Sequence, residues 1–208
     1  MYNDVTVFNI REYLSIQDDR NLGEEELRQL LSEFSCEKNP DVERFLKEQS
    51  IDFTKKNQSV TFLVFSNEDA ALVGYFTLAI KPISVKAKNF SNTMKRKIAR
   101  VSELDEINGT YTLSAYLIAQ LGKNFRDGLN ERISGEQLLQ AAVDTIKELQ
   151  YMAGGMVVFL EAEEEEKLIH FYQDKNGFKR FDTKEVKGRT EDAVSYTHLR
   201  AHETAANL

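Results

Sequence analysis

The sequence predicts an α+β fold in which a mixed, mostly antiparallel sheet is flanked by helices. Two patterns carry this prediction. In the first half of the chain, residues 59–66 and 71–80 are apolar and flank a polar turn, as in an antiparallel hairpin. In the second half, an apolar strand at 111–121, an amphipathic helix beginning after Ser134 and an apolar strand at 156–160 follow one another, which is typical of a βαβ unit.

A strand and two helices precede the hairpin. Residues 5–10 are predicted to form a short strand. Residues 24–34 place leucine and phenylalanine at helical spacing, and three glutamates in the first turn suit the positive end of a helix dipole. Asn39 and Pro40 start a second helix, because asparagine caps helices and proline fits their first position.

The remaining segments are shorter. Residues 86–107 are polar and basic in the middle, which predicts a short helix or loop that serves either as a solvated face or as a substrate-guiding lid. Residues 168–175 predict a short helix, which ends at Asn176-Gly177, and 178–181 predict the start of another strand.

Composition limits the classes of function. We assign residues 1–193 to a single domain, and the hydrophobic share of 41% can fill its core. A net charge of -7 disfavours a nonspecific nucleic-acid binder, and the single cysteine, Cys36, excludes an internal disulfide. No apolar run could span a membrane and no signal peptide is recognisable, so we expect a cytoplasmic protein with no membrane partner.

The C-terminal residues look foreign to this domain. The stretch from Val194 to Thr204 resembles one reading frame of an adapter used in transposase-based sequencing libraries. We therefore expect residues 194–208 to be a non-native tail, and we give no weight to a metal site built from its histidines, His198 and His202, with His170.

Two segments carry residue types suited to chemistry. The junction from Leu117 to Leu139 runs from a strand through a polar loop into a helix, whose unpaired N–H groups and dipole attract anions. Within it, Arg132 can contact a phosphate and Gly135 lets a ligand approach the backbone. An ordinary capped helix is the alternative. Farther on, Tyr172 stands near a helix end between Phe171 and Phe178, where its phenol either acts as an acid or only packs.

These features together resemble the GNAT superfamily of acetyl-CoA-dependent N-acetyltransferases, from about Phe34 to Phe181. Three features in chain order carry the resemblance: the βα anion site, the strand that follows it and the segment F-Y-x-x-x-x-G-F. The stretches FSCEKNPDVERFLKEQ and VTFLVFSN…ALVGYFTLA also resemble a subgroup with toxin-like members. The resemblance implies a GNAT-like sheet with a C-terminal βαβ cofactor-binding unit, acetyl-CoA as the acyl-donor substrate and no metal.

The resemblance also implies roles for individual residues. The backbone of Leu121, Gly122 and Lys123 would bind the pantetheine arm, and the junction at Arg132, Ile133, Ser134 and Gly135 would hold the pyrophosphate. The phosphate motif of the family is Q/R-x-x-G-x-G/A. Residues 132–137 fit its first four positions but place Gln137 where a small residue belongs; the other register starts at Asn130 and ends at Gly135.

The implied reaction is direct attack of an amine on the thioester in a ternary complex. Tyr172 matches the tyrosine that would protonate the leaving thiolate. Glu161, at the end of the strand 156–160, is the candidate general base, although it also begins an acidic, solvated run. We interpret His170 as a packing or surface residue and Cys36 as buried or incidental.

The sequence does not identify the molecule that would accept the acetyl group, and it leaves more than one class of function open. The main expectation is that the acceptor is the amine of a small molecule, a protein or a peptide. A homodimeric assembly is compatible with this expectation. One alternative is a toxin-like enzyme that acetylates aminoacyl-tRNA with an antitoxin as its partner; Lys95–Arg100 would be the only basic patch for it. Another is a noncatalytic module that binds CoA or a protein.

Overall fold

The computed structural model describes the backbone of residues 4–15, 23–162, 165–185, 194–198 and 200–201. The chain divides into two compact units. The first combines residues 1–79 with 118–148, and the second combines residues 80–117 with 149–208.

The first unit holds the N-terminal strands and helices. Its elements are β1 (Val5–Asn9), α1 (Ile10–Ser15), α2 (Glu24–Ser32), α3 (Pro40–Arg44), a π-helical turn (Phe45–Gln49), α4 (Ser50–Lys55) and β2 (Val60–Ser66). It also contains the first part of β3 (Leu72–Lys86), the end of β5 (Thr110–Lys123), a 3₁₀ helix (Arg126–Glu131) and most of α6 (Gly135–Ala153).

The strands of the first unit are ordered β1-β2-β3-β5. β1 pairs antiparallel with β2, and β2 pairs antiparallel with β3 around the polar turn, so the predicted hairpin is confirmed. The prediction was wrong at Ile10, which begins α1 instead of ending β1. Ile10 is fully buried, and helical geometry lets the chain turn back over the sheet while this side chain stays in the core.

Helix α2 forms the core contact that its spacing predicts. Leu27 and Leu31 are fully buried, and Leu30 is half-buried against the same cluster. α2 ends at Ser32, so Phe34, which the prediction included in the helix, is buried from just beyond its end. Asn39 caps α3 through its side-chain oxygen, which accepts a hydrogen bond from the backbone N–H of Val42. Both helix starts therefore follow from the sequence.

The second unit contains the outer part of β3, a 3₁₀ helix (Ala87–Asn89), α5 (Asn92–Ile98), β4 (Leu104–Asp105), the first part of β5 and the last five residues of α6. It continues with β6 (Val157–Leu160), α7 (Glu166–Ile169), a π-helical turn (His170–Lys175), β7 (Arg180–Glu185), β8 (Val194–His198) and β9 (Arg200–Ala201). The chain order of β5, α6 and β6 matches the predicted βαβ unit.

Two details of this unit differ from the sequence predictions. The strand β3 continues to Lys86, six residues beyond its predicted end at Ile80, and β7 begins at Arg180 rather than at Phe178. In the expected tail, β8 pairs with β7 and β9 pairs with β6, both antiparallel. The foreign origin of residues 194–208 stays a prediction, and residues 199 and 202–208 lie outside the described residues. Among the described helices, none has the length and apolar character needed to cross a membrane.

Candidate active site

Lys123, the last residue of β5, supports the loop that leads to α6. Its Nζ donates hydrogen bonds to the carbonyl oxygens of Asn130, at 2.5 Å, and Ile133, at 2.9 Å. Desolvation lowers the pKa of Lys123, and the charge of nearby Lys38 lowers it further. The two bonds use two of the three N–H donors of the ammonium group, so the side chain of Lys123 holds the loop between β5 and α6 in shape.

The start of α6 is closed by a reciprocal pair of hydrogen bonds. The hydroxyl of Ser134 accepts from the backbone N–H of Gln137 at 3.0 Å, and the side-chain oxygen of Gln137 accepts from the backbone N–H of Ser134 at 2.8 Å. This is a capping box, which the spacing Ser-x-x-Gln could have revealed in the sequence. It gives Gln137 a physical reason to stand where the phosphate motif has a small residue.

The capping box uses two of the backbone N–H groups at this helix start, those of Ser134 and Gln137, so an anion there has fewer donors available. Gly135 follows directly as the first residue of α6, and a helix of 19 residues brings a full dipole to this end. The junction therefore retains the electrostatic character expected of an anion site, but part of its hydrogen-bonding capacity is already used within the chain.

Arg132 is engaged by a carboxylate. Its guanidinium forms an ion pair with Asp69, in the turn between β2 and β3, and both side chains are about two-fifths exposed. The hydrogen bond from Arg132 is the largest cause that lowers the pKa of Asp69. Ile133 is buried, so it can offer a ligand only its backbone. To bind a phosphate, Arg132 would have to leave or share Asp69.

Gly122 is required by packing. A Cβ added there would lie 2.4 Å from Cγ1 of Val42, closer than such atoms approach, and 3.1 Å from Cε1 of Tyr75, which is a tight contact. The hydroxyl of Tyr75 donates to the carbonyl oxygen of Val42 at 2.6 Å, so α3 and β3 are tied together at the same point. Leu121, its neighbour, is half-buried.

Asn124 is a buried residue of the junction that the sequence interpretation missed. Its side chain accepts from the backbone N–H groups of Ser35 and Arg126 and donates to the carbonyl oxygen of Leu72. These bonds fix the turn after β5 against two other segments. Only the bond to Arg126 is local, and the partners Ser35 and Leu72 are distant in sequence, so no local motif could have identified the role of Asn124 in joining these segments.

Tyr172 lies in the second unit, in the π-helical turn His170–Lys175. Its ring contacts Phe171 and Phe178 edge-on, with centroids 4.9 Å and 6.1 Å away. Burial raises the pKa of Tyr172 to about 12, so the phenol remains protonated through the neutral range. A neutral phenol in apolar surroundings is a group that can give a proton to a developing anion.

The other residues of this unit are more exposed. Glu161 follows β6 directly and is exposed. His170 is exposed and contacts Asp174 through Nδ1, at 2.7 Å from Oδ2, as expected for a surface residue. In the part of the chain that the structure describes, no group of three or more His, Cys, Asp and Glu side chains could hold a metal ion.

The predicted site residues thus fall into two groups. Residues 121–123 and 132–135 come together in the first unit, joined by the bonds of Lys123 to the loop. Glu161 and Tyr172 belong to the second unit.

Solved structures resemble this chain over nearly its whole length. AtaT complexed with acetyl-methionyl-tRNAfMet matches with a TM-score of 0.59 at 16% identity, over 93% of this chain and 95% of that one. A tyrosine-to-phenylalanine variant of KacT matches with a TM-score of 0.58 at 16% identity, over 94% and 95% of the two chains. A similar variant of the AtaT toxin, bound to the C-terminus of the antitoxin AtaR and acetyl-CoA, matches with a TM-score of 0.52 at 16% identity, over 94% of each chain.

The chain has the GNAT fold. This likeness confirms the fold class predicted from the sequence, with its antiparallel sheet and flanking helices. No family model matches the chain, and no curated protein matches it either. At such low identity, the shared GNAT fold does not by itself carry over an activity.

Proposed function

We propose that this protein is an acetyl-CoA-dependent N-acetyltransferase whose acceptor is the α-amine of an aminoacyl-tRNA. The observation that carries the proposal is the likeness to AtaT, solved with acetyl-methionyl-tRNAfMet, over almost the full length of both chains. This favours the toxin-like alternative over a small-molecule amine. A protein partner comparable to the antitoxin AtaR belongs to the same proposal.

The junction of the first unit supports binding of a diphosphate such as that of CoA. The start of α6 attracts anions, and Lys123 both adds a positive charge and fixes the loop. Gly135 offers a side-chain-free start to the helix, and Arg132 would contribute by exchanging Asp69 for a phosphate. The backbone of Leu121, Gly122 and Lys123 is the proposed seat of the pantetheine arm.

Tyr172 is the proposed general acid. In the transfer, the amine nitrogen bonds to the acetyl carbonyl carbon, the carbon–sulfur bond breaks, and the nitrogen loses a proton. The phenol of Tyr172, kept protonated by its apolar surroundings, would supply the proton that the departing sulfur needs. Glu161 remains the candidate base for the proton that the nitrogen loses.

The test is transfer of a radiolabelled acetyl group from acetyl-CoA to methionyl-tRNA. Deacylated tRNA and free methionine serve as matched controls, since each lacks one half of the proposed acceptor. We expect label on methionyl-tRNA and on neither control. Transfer to free methionine at an equal rate would contradict the tRNA-borne acceptor, and no transfer to any amine would contradict the enzymatic function.

A further inference from the structure

One stretch of the second unit has a charge opposite to that of the rest of the chain. Residues 70–102 contain no aspartate or glutamate, and seven basic residues lie within 81–100, here called the basic segment. Since the whole chain has a net charge of -7, the rest of it carries -7 minus 7, or -14. The seven residues are Lys81, Lys86, Lys88, Lys95, Arg96, Lys97 and Arg100.

The helix α5 and the turn after it expose two arginines. Met94 is half-buried and Ile98 is buried, and these two residues lie four apart. Arg96 and Arg100 are also four apart, and both are exposed. α5 ends at Ile98, so Arg96 emerges from the helix and Arg100 from the turn that directly follows it.

The outer part of β3 adds a hydroxyl-rich face. Val85 is buried, whereas its neighbours Ser84 and Lys86 are exposed. Ser84 lies next to Thr112 of β5, with their hydroxyl oxygens 3.3 Å apart, and Ser114 is exposed on the same strand. Hydroxyls and lysines are the groups with which proteins contact phosphate and ribose oxygens.

The nearest acidic residues in sequence, Glu103, Asp105 and Glu106, follow the segment around the short strand β4 and the turn after it. Asp105 serves the turn itself, because its carboxylate accepts hydrogen bonds from Ile107 and from the backbone and side chain of Asn108. These hydrogen bonds lower its pKa. The positive surface therefore ends at a structured acidic boundary.

We infer that the basic segment binds the phosphate backbone of the RNA that carries the acceptor amine. The inference rests on the proposed function, and it names the surface that recognises the nucleic-acid part of the substrate. It also explains how a chain of net negative charge can bind a polyanion, because attraction depends on the local charge of the contacting face.

The test measures binding of fluorescently labelled, deacylated tRNA in the absence of acetyl-CoA. The variant Arg96→Gln with Arg100→Gln removes two exposed charges from the segment. The matched control, Arg44→Gln with Lys56→Gln, removes two charges that are about 60% exposed in the first unit. We expect the segment variant to bind tRNA about tenfold more weakly, with the slope of log affinity against log salt reduced by about 2. The control should bind like the unmodified protein.

Several outcomes separate this inference from the proposed function. Equal tRNA affinity in the segment variant and the unmodified protein would overturn the inference, even if methionyl-tRNA is acetylated. Equal affinity of the segment for duplex DNA would overturn its assignment to RNA. Arginine-dependent tRNA binding without any acetyl transfer would support the RNA-binding surface and overturn the proposed activity instead. Thermal melts of both variants check that each is folded.

Discussion

The junction of the first unit and the Tyr172 turn of the second hold their functional candidates in different ways. At the junction, polar side chains are engaged with the backbone: Lys123 with two loop carbonyls, Asn124 with three backbone groups, and Ser134 reciprocally with Gln137. In the second unit, the ring of Tyr172 packs edge-on against the rings of two phenylalanines.

This difference determines what a substitution can reveal. A polar residue at the junction supports the loop and its candidate binding groups at once, so its removal changes fold and ligand affinity together. At Tyr172 the ring carries the packing, and the phenolic oxygen can be removed while the ring remains. The cleanest functional test therefore lies in the second unit, and the sharpest structural tests lie in the first.

Tyr172→Phe should have the largest effect on activity. Loss of the acidic proton is expected to lower turnover by roughly 10²-fold, with CoA affinity and melting temperature unchanged. The matched control is Tyr151→Phe, since Tyr151 is 93% exposed. Because the pKa of Tyr172 is raised to about 12, its contribution should persist across the neutral and mildly alkaline range. Full activity of the variant would exclude the acid role and leave only packing.

Gly122→Ala should have the largest effect on stability. The new Cβ would collide with Val42, and such overpacking costs roughly 1–3 kcal/mol in the free energy of unfolding. Denaturant unfolding measures the loss. In a Val42→Ala background the colliding methyl groups are absent, so the same substitution should cost much less. Equal costs in the two backgrounds would contradict the packing explanation of this glycine.

Gly135→Val should have a smaller effect, confined to binding. A branched side chain at the start of α6 would obstruct a diphosphate and weaken CoA binding by about tenfold, or 1.4 kcal/mol. Isothermal titration with CoA measures this affinity. Ala153→Val, at the exposed opposite end of α6, is the control for adding the same kind of side chain to the helix. Unchanged affinity in a folded Gly135→Val variant would remove the junction from the site.

Much of the fold was predictable because its signals are local. The spacing of Leu27 and Leu31, the Asn39-Pro40 start of α3 and the hairpin around the polar turn all depend on neighbours within a few residues. The start of α1 at Ile10 was missed, since one apolar residue after a strand fits either element. The candidate site was predicted by region. The capping-box bond of Gln137 to Ser134 explains its misfit to the phosphate motif, and its Ser-x-x-Gln spacing is a local signal that the interpretation missed.

The sequence by itself determined the fold class, the position of the βα junction and the aromatic frame of Tyr172, because periodicity and turn chemistry act over short distances. The tertiary structure alone decided that Arg132 pairs with Asp69, that Gly122 makes room for Val42 and that Asn124 joins Ser35 to Leu72. Each of these contacts joins residues dozens of positions apart. Their partners are selected by how the sheet and helices pack, and no local pattern encodes that choice.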